Sequence, residues 1–254
     1  MTNKEPLLFG TAGIPRSSKA LTTQAGIERT QELGLGCMEV EFVKGVNMTP
    51  PTARDVGKAA AKRGIKLSAH APYFINLNAK ELEKMAASQE RIIQTARITA
   101  LFGGDSVVFH PAFYLKDEPS DVYNTVKKNL EQIVAKLRTE GNRVWLHPEV
   151  MGRPSQFGTL EEILRLSAEV EGVAPVFDFA HWHARTRKAN SYNEFMAILR
   201  KIEGKLGRKA LDNMHIHVSG ISYGPKGENK HVDLEESDFR YEDLLRALKD
   251  FKAG

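Results

Sequence analysis

The 254-residue chain has one cysteine, Cys37. Neither a disulfide framework nor a thiolate-held metal can form within it, so any metal must be bound by histidines and carboxylates. No segment approaches the roughly 18 consecutive apolar residues that mark a membrane-spanning helix. The opening MTNKEPLLFG lacks the apolar core of an export signal. These absences set the expectation of a cytoplasmic protein with no membrane partner. Linkers, low-complexity tracts and abrupt shifts in composition are also missing, which leads to an expected single domain over residues 1–254. The formal net charge of +4 is a mild basic excess. It fits a polyanionic partner but is shared by many proteins that touch none.

Against those absences stands one recurrent pattern. Five short apolar runs end in a metal-ligand or acidic residue: LSAHAP at His70, VVFHP at His110, VWLHPEV at Glu149, VFDFAH at Asp178 and His181, and MHIHVSG at His217. The intervals are roughly 30 to 40 residues, the length of one strand, loop and helix. Strands are expected over 7–10, 37–43, 65–69, 106–110, 143–146, 175–179 and 214–218, with amphipathic helices clearest over 79–102, 122–139, 160–170, 192–206 and 241–251. Thr159 with Glu162 and Ser191 with Glu194 have the spacing of capping boxes. Residues 220–237 read as a polar loop. The expected architecture is α/β, a (β/α)8 TIM barrel whose eighth strand does not appear before Gly254. Such a barrel gathers strand ends that are distant in sequence onto one face.

Strand ends with a histidine followed closely by proline, at His70 and His110, put two imidazoles at that face, and Glu149, Asp178, His181 and His217 add more ligands. Imidazole with carboxylate suits Zn2+, with Mn2+ as a further option. Strand alternation places His147 on the face of Glu149 and His215 on that of His217, each one layer deeper. His147 is therefore expected as a buried hydrogen-bonded residue and His217 as the ligand. His183 reads either as a second ligand beside His181 or as a loop residue contacting phosphate, the loop role being preferred. His231, in GENKH, is read as lying outside any strand, in a loop with Glu228 and Asn229 that folds over the site. So many ligands exceed what one ion needs. Two or three clustered metals suit phosphate ester hydrolysis, where they lower the pKa of a bound water to about 7.

The segments HAPYFIN, FHP, Pro148-Glu149, DFAH, HIHVSGI and GENKH, in this order, resemble the endonuclease IV family of apurinic/apyrimidinic endonucleases. The resemblance runs from FGTAGIP to SDFRYEDLL and implies a zinc-dependent barrel that cuts DNA 5′ to abasic sites. It implies that His70, His110 and Glu149 hold one zinc and that Glu149 bridges to a second with Asp178, Glu149 and Asp178 forming the catalytic pair. It further implies that His217 joins that second zinc and that His181 and His231 hold a third. The family's aspartate two residues before the loop histidine is Asn229 here, so Glu228 is taken as its substitute. The family's eighth-strand glutamate has no counterpart. Tyr73 and Asn76 match the loop that enters the minor groove. Arg16, Arg185 and Lys230, with Arg187, Lys188 and Lys226, are expected in loops that contact phosphates. The expected partner is double-stranded DNA carrying abasic sites, bound by a monomer without a nucleotide cofactor.

Two other readings remain open. A sugar isomerase or epimerase on the same barrel type would use one divalent metal, for which Glu149, Asp178 and His217 suffice. A damage-binding protein that no longer cuts would account for the missing glutamate.

Overall fold

The computed structural model describes residues 7–254. In chain order the elements are β1 (Gly10–Ala12), α1 (Thr23–Glu32), β2 (Cys37–Glu41), α2 (Pro50–Arg63), β3 (Lys66–His70), α3 (Leu82–Leu101), β4 (Ser106–Phe109) and β5 (Ala112–Phe113). Next come α4 (Pro119–Thr139), β6 (Trp145–Pro148), β7 (Gln156–Phe157), α5 (Leu160–Glu169), β8 (Val176–Asp178) and α6 (Phe179–Thr186). The chain continues through α7 (Tyr192–Leu206), α8 (Arg208–Asp212), β9 (His215–His217), β10 (Gly220–Gly224), β11 (Gly227–Val232), a 3-10 turn at Leu234–Glu236, and α9 (Tyr241–Phe251). No strand follows α9 among the described residues. No described helix is long and apolar enough to cross a membrane.

These elements pack as two compact units, each made of separated stretches: residues 8–109 with 128–147, and residues 110–127 with 148–254 and Leu7. The first unit is built on a sheet ordered β1-β2-β3-β4-β6. Its β1–β2, β2–β3 and β3–β4 pairs are parallel. All four residues of β4 are buried, as expected of a continuous apolar strand covered on both faces. Ile27, Met38, Val40, Ala53, Val56, Leu67, Ile98 and Phe102 form one core with α1, α2 and α3, each large side chain contributing about 1.5–3 kcal/mol on burial. β1 begins later than the apolar run over 7–10 suggests. The Phe9 carbonyl accepts from the Gly36 and Cys37 N–H groups, and the ladder itself opens at Gly10 opposite Cys37. An apolar run marks where a strand enters, while pairing decides where it starts.

In the second unit β8 and β9 pair in parallel, and Glu149 forms a parallel bridge to Val176. β5 and β7 form a short antiparallel ladder, and β10 and β11 an antiparallel hairpin. That hairpin corrects the expectation of a loop over 220–237. α5 opens with the expected capping box, Thr159 accepting from the Glu162 N–H while the Glu162 carboxylate accepts from the Thr159 N–H. Ser191 makes no such cap bond on α7. The Glu194 carboxylate accepts from the Ser191 hydroxyl and from the Ala189 and Asn190 N–H groups. The turn leading into α7 thus takes the carboxylate that a capping box would need.

Glu169, at the end of α5, accepts from Lys127 Nζ at 2.8 Å, Arg165 Nε at 2.7 Å and Tyr123 Oη at 3.1 Å. These partners, Lys127 foremost, hold its pKa at about 2. A carboxylate depressed below its unfolded value of about 4.3 stabilises the fold above that pH and loses the effect as pH falls toward 2. Denaturant midpoints of the protein and of Glu169→Gln should therefore differ near neutrality and converge at about pH 2. A gap that persists in acid would show that the ionised carboxylate is not its source.

Candidate metal centre

Glu149 follows the last residue of β6 and is 1% exposed. Its bridge to Val176 fixes the backbone, and its two oxygens point to different histidines. Oε1 lies 2.9 Å from His217 Nδ1, and Oε2 lies 3.1 Å from His110 Nε2. Asp178 ends β8 and is the N-cap of α6. Its Oδ1 accepts from the His181 N–H at 2.7 Å, leaving Oδ2 3.6 Å from His181 Nδ1. One aspartate therefore both starts the helix and fixes the histidine that the helix carries.

His181 is buried and donates from Nδ1 to the Val150 carbonyl at 3.1 Å. A carbonyl only accepts, so Nδ1 carries the proton and Nε2 is the ligand atom, the arrangement by which outer partners orient metal-binding histidines. Nε2 lies 3.3 Å from His231 Nε2 and 3.6 Å from Glu228 Oε2. His231 Nδ1 is 2.7 Å from Ser219 Oγ. Burial, the largest influence on His181, disfavours its protonated form. Asp178, Glu149 and Glu228 together outweigh it and raise the pKa above the ordinary histidine value. This corner of the protein favours a cation, whether proton or metal ion.

The hairpin supplies Glu228 and His231 through a local irregularity. Residues three apart on a regular strand point to opposite faces. The register, however, pairs Ile221 with His231, Ser222 with Lys230 and Tyr223 with Glu228, so Asn229 is an extra, bulged residue. Glu228 and His231 consequently share a face, as bulges beside functional sites commonly arrange. This corrects the reading of His231 as a loop residue. It also places Glu228, not Asn229, against His181. Three further residues, not foreseen in the sequence, seat the hairpin. A side chain on Gly152 would meet Glu228 Cβ and Oε2 at 2.8 Å. Gly227, at φ +85, would meet the Gly152 carbonyl at 2.3 Å. Arg153 Nε donates to the Glu228 carbonyl at 2.9 Å. The visible signal was a glycine just beyond the strand-end glutamate; nothing in the pattern marks Arg153.

The other expected site residues have varied placements. His70 ends β3 in the first unit, buried, with Nδ1 donating to the Ala71 carbonyl at 2.8 Å, which leaves Nε2 as its ligand atom. His147 is buried in the same unit. Tyr73 is 49% exposed, as is its neighbour Phe74 at 65%, so this loop presents aromatic surface. Asn76 Oδ1 accepts from the Asn78 N–H, shaping that loop. Arg16 and Lys230 are exposed. His183 is not a loop residue: it lies buried on α6, with Nδ1 donating to the Lys188 carbonyl and its ring against Tyr223. Arg185 is likewise on α6, and its Nη1 faces the carbonyls of Met151, Arg153 and Gln156 at 3.3, 2.6 and 2.9 Å. A guanidinium engaged in this way is unsuited to the phosphate contact expected of it.

The donor set fits divalent metal. Two ligands of a tetrahedral zinc, each about 2.0–2.1 Å from the ion, stand about 3.3 Å apart. The pairs above span 2.9 to 3.6 Å, and ligand atoms of Glu149, Asp178 and His217 and of Asp178, His181 and His231 lie within 4.8 Å of one another in each group. Buried carboxylates without a cation would cost several kcal/mol apiece. Bound divalent metal would offset that charge.

The bulge can be tested by deleting Asn229. Glu228 and His231 would then be two apart on a regular strand, which again puts them on one face. Divalent metal retained per chain, measured by elemental analysis after desalting, should equal that of the unmodified protein. Loss of an ion would show that the bulge does more than correct the count.

The family described as "Xylose isomerase-like TIM barrel" matches residues 27–254. An uncharacterized protein of Methanocaldococcus jannaschii is 44% identical over 255 residues, covering 100% of this chain and 91% of its own. A protein of Halorhodospira halophila named "Probable endonuclease 4" is 24% identical over 238 residues, covering 89% of this chain and 80% of its own. Among solved structures, a D-tagatose 3-epimerase-like protein superposes with a TM-score of 0.73 at 17% identity, covering 97% of this chain and 88% of that one. A likeness at that identity establishes fold and leaves chemistry to the site. With strand and helix alternating through the matched length, the chain belongs to the xylose isomerase-like TIM barrel family, an α/β fold with parallel strands.

Proposed function

We propose that this protein is a metal-dependent DNA repair endonuclease that hydrolyses the phosphodiester 5′ to abasic sites, using two or three Zn2+ ions. The observation that carries this reading is the second ligand cluster. Beyond Glu149, Asp178 and His217, the second unit brings His181, His231 and Glu228 together. An isomerase or epimerase working with one metal has no use for that extra set. Likeness to the H. halophila protein named "Probable endonuclease 4" supports the same reading.

In this reading Glu149 would hold metal through both carboxylate oxygens, Oε1 beside His217 and Oε2 beside His110. Asp178 holds one oxygen on the α6 backbone and offers the other. Bound divalent ions supply a water of lowered pKa and neutralise charge on the phosphodiester. His70 is carried over from the sequence resemblance as a further metal ligand. Tyr73 and Asn76 meet the DNA at the lesion, and Arg16 and Lys230 contact phosphates, which positions a duplex without reading its sequence. An abasic nucleotide has no base to unpair and is the least costly to extrude, which gives selectivity by flexibility.

The epimerase reading keeps one observation in its favour, the grouping of Glu149, Asp178 and His217 within 4.8 Å. The number of bound metals separates the two: two or three zinc ions per chain support the nuclease, and a single divalent ion the epimerase. The test of function is nicking of a duplex with one abasic site, with and without chelation, beside an undamaged duplex. Chelator-sensitive nicking 5′ to the lesion is expected, and Glu149→Gln should lower it by at least about 10²-fold, with the thermal midpoint largely kept. Near-normal nicking by that variant would sink the clustered-metal mechanism. Tight lesion binding by the unmodified, zinc-loaded protein without nicking would favour a damage-binding role.

A further inference from the structure

Arg185 stands one helical turn after His181 on α6, and the segment it holds is common to several parts of the centre. Its Nη1 faces three carbonyl groups in residues 151–156, the stretch that leaves Glu149. The same stretch is tied in two other directions. It pairs with β5, the strand just after His110, through Phe113 opposite Gln156 and the Tyr114 N–H donating to Ser155. It also receives the hairpin: the Glu228 N–H donates to the Gly152 carbonyl at 3.1 Å, and Arg153 donates to the carbonyls of Glu228 and Asn229. Tyr114 closes the far side by donating to the Glu162 carboxylate.

A cationic group facing three backbone carbonyls rigidifies a loop that has no long ladder of its own, because each charge-assisted bond is stronger than a neutral one. Position matters here. The close approach at Gly152 leaves little slack between this loop and Glu228, and a metal site loosened by about 1 Å loses its geometry. We infer that Arg185 is a positioning residue for one metal ion, the one held by His181, Glu228 and His231, and acts by pinning the loop on which the hairpin docks. The inference rests on the reading that these three residues take a metal. It replaces a role for Arg185 on DNA with one inside the protein, and it makes Arg153 the outward link of the same chain of bonds.

The test uses the full-length protein, loaded with zinc, desalted and analysed for bound zinc, in the unmodified form and as His231→Ala, Arg185→Met and the double variant. His231→Ala should lose one zinc per chain. Arg185→Met should lose the same one and keep the rest, and the double variant should lose no more than either alone. Zinc content unchanged in His231→Ala would overturn the underlying metal assignment. Loss in His231→Ala but not in Arg185→Met would overturn the inference while leaving that assignment standing. A double variant that loses more than one zinc would also overturn it, because Arg185 would then support the whole centre and not one site. Should Arg185→Met fail to fold, Arg153→Ala, an exposed residue, tests the same linkage. Loss of that one zinc supports the inference, and a full complement overturns it.

Discussion

Glu149 is a carboxylate in a position 1% exposed, with an imidazole within 3.1 Å of each oxygen. A buried charge is tolerated only when opposite charge or strong hydrogen bonds surround it. The second unit meets that condition by converging strand ends and helix starts on one place. β8 delivers Asp178, α6 starts from that aspartate and delivers His181, and β9 delivers His217. With Glu228 the cluster holds three carboxylates beside neutral-capable imidazoles, and the raised pKa of His181 is the mark of that excess negative charge. Cation binding is the physical requirement from which the rest of the arrangement follows.

The hairpin shows how a backbone irregularity can preserve a side-chain constellation. A Glu and a His three residues apart would straddle a regular strand, and the extra residue at Asn229 returns them to one side. Docking of that strand depends on the absence of a side chain at Gly152 and on positive φ at Gly227. Arg185, expected in a loop contacting phosphate, turns inward to backbone carbonyls, and the exposed Arg153 is engaged with the hairpin carbonyls. Buried or engaged cations of this kind serve geometry before they serve any partner.

A shared fold does not by itself fix chemistry. The epimerase-like neighbour shares the architecture at 17% identity, which reflects a common scaffold of packed strands and helices. Chemistry on such a scaffold depends on which side chains stand at the strand ends and in the loops that follow. Here the ligand groups extend beyond Glu149, Asp178 and His217 to His181 on α6 and Glu228 and His231 on the hairpin.

Much of this was legible from residue order. An apolar run that ends in His, Glu or Asp signals a buried strand emerging at a polar mouth, so Glu149, Asp178 and His217 could be named from their position, and the helices Tyr192–Leu206 and Tyr241–Phe251 from their periodicity. Those patterns are local, set by the alternation of strands and the repeat of helices. What could not be read locally was decided by packing across the chain. The hairpin within residues 220–237 docks on Arg153, 75 residues earlier, the buried His183 ring packs against Tyr223, and Arg185 turns to carbonyls 29 to 34 residues away. Sequence determined which residues could serve as ligands; tertiary structure alone decided which faces they share, because facing is a property of pairing and packing and not of order.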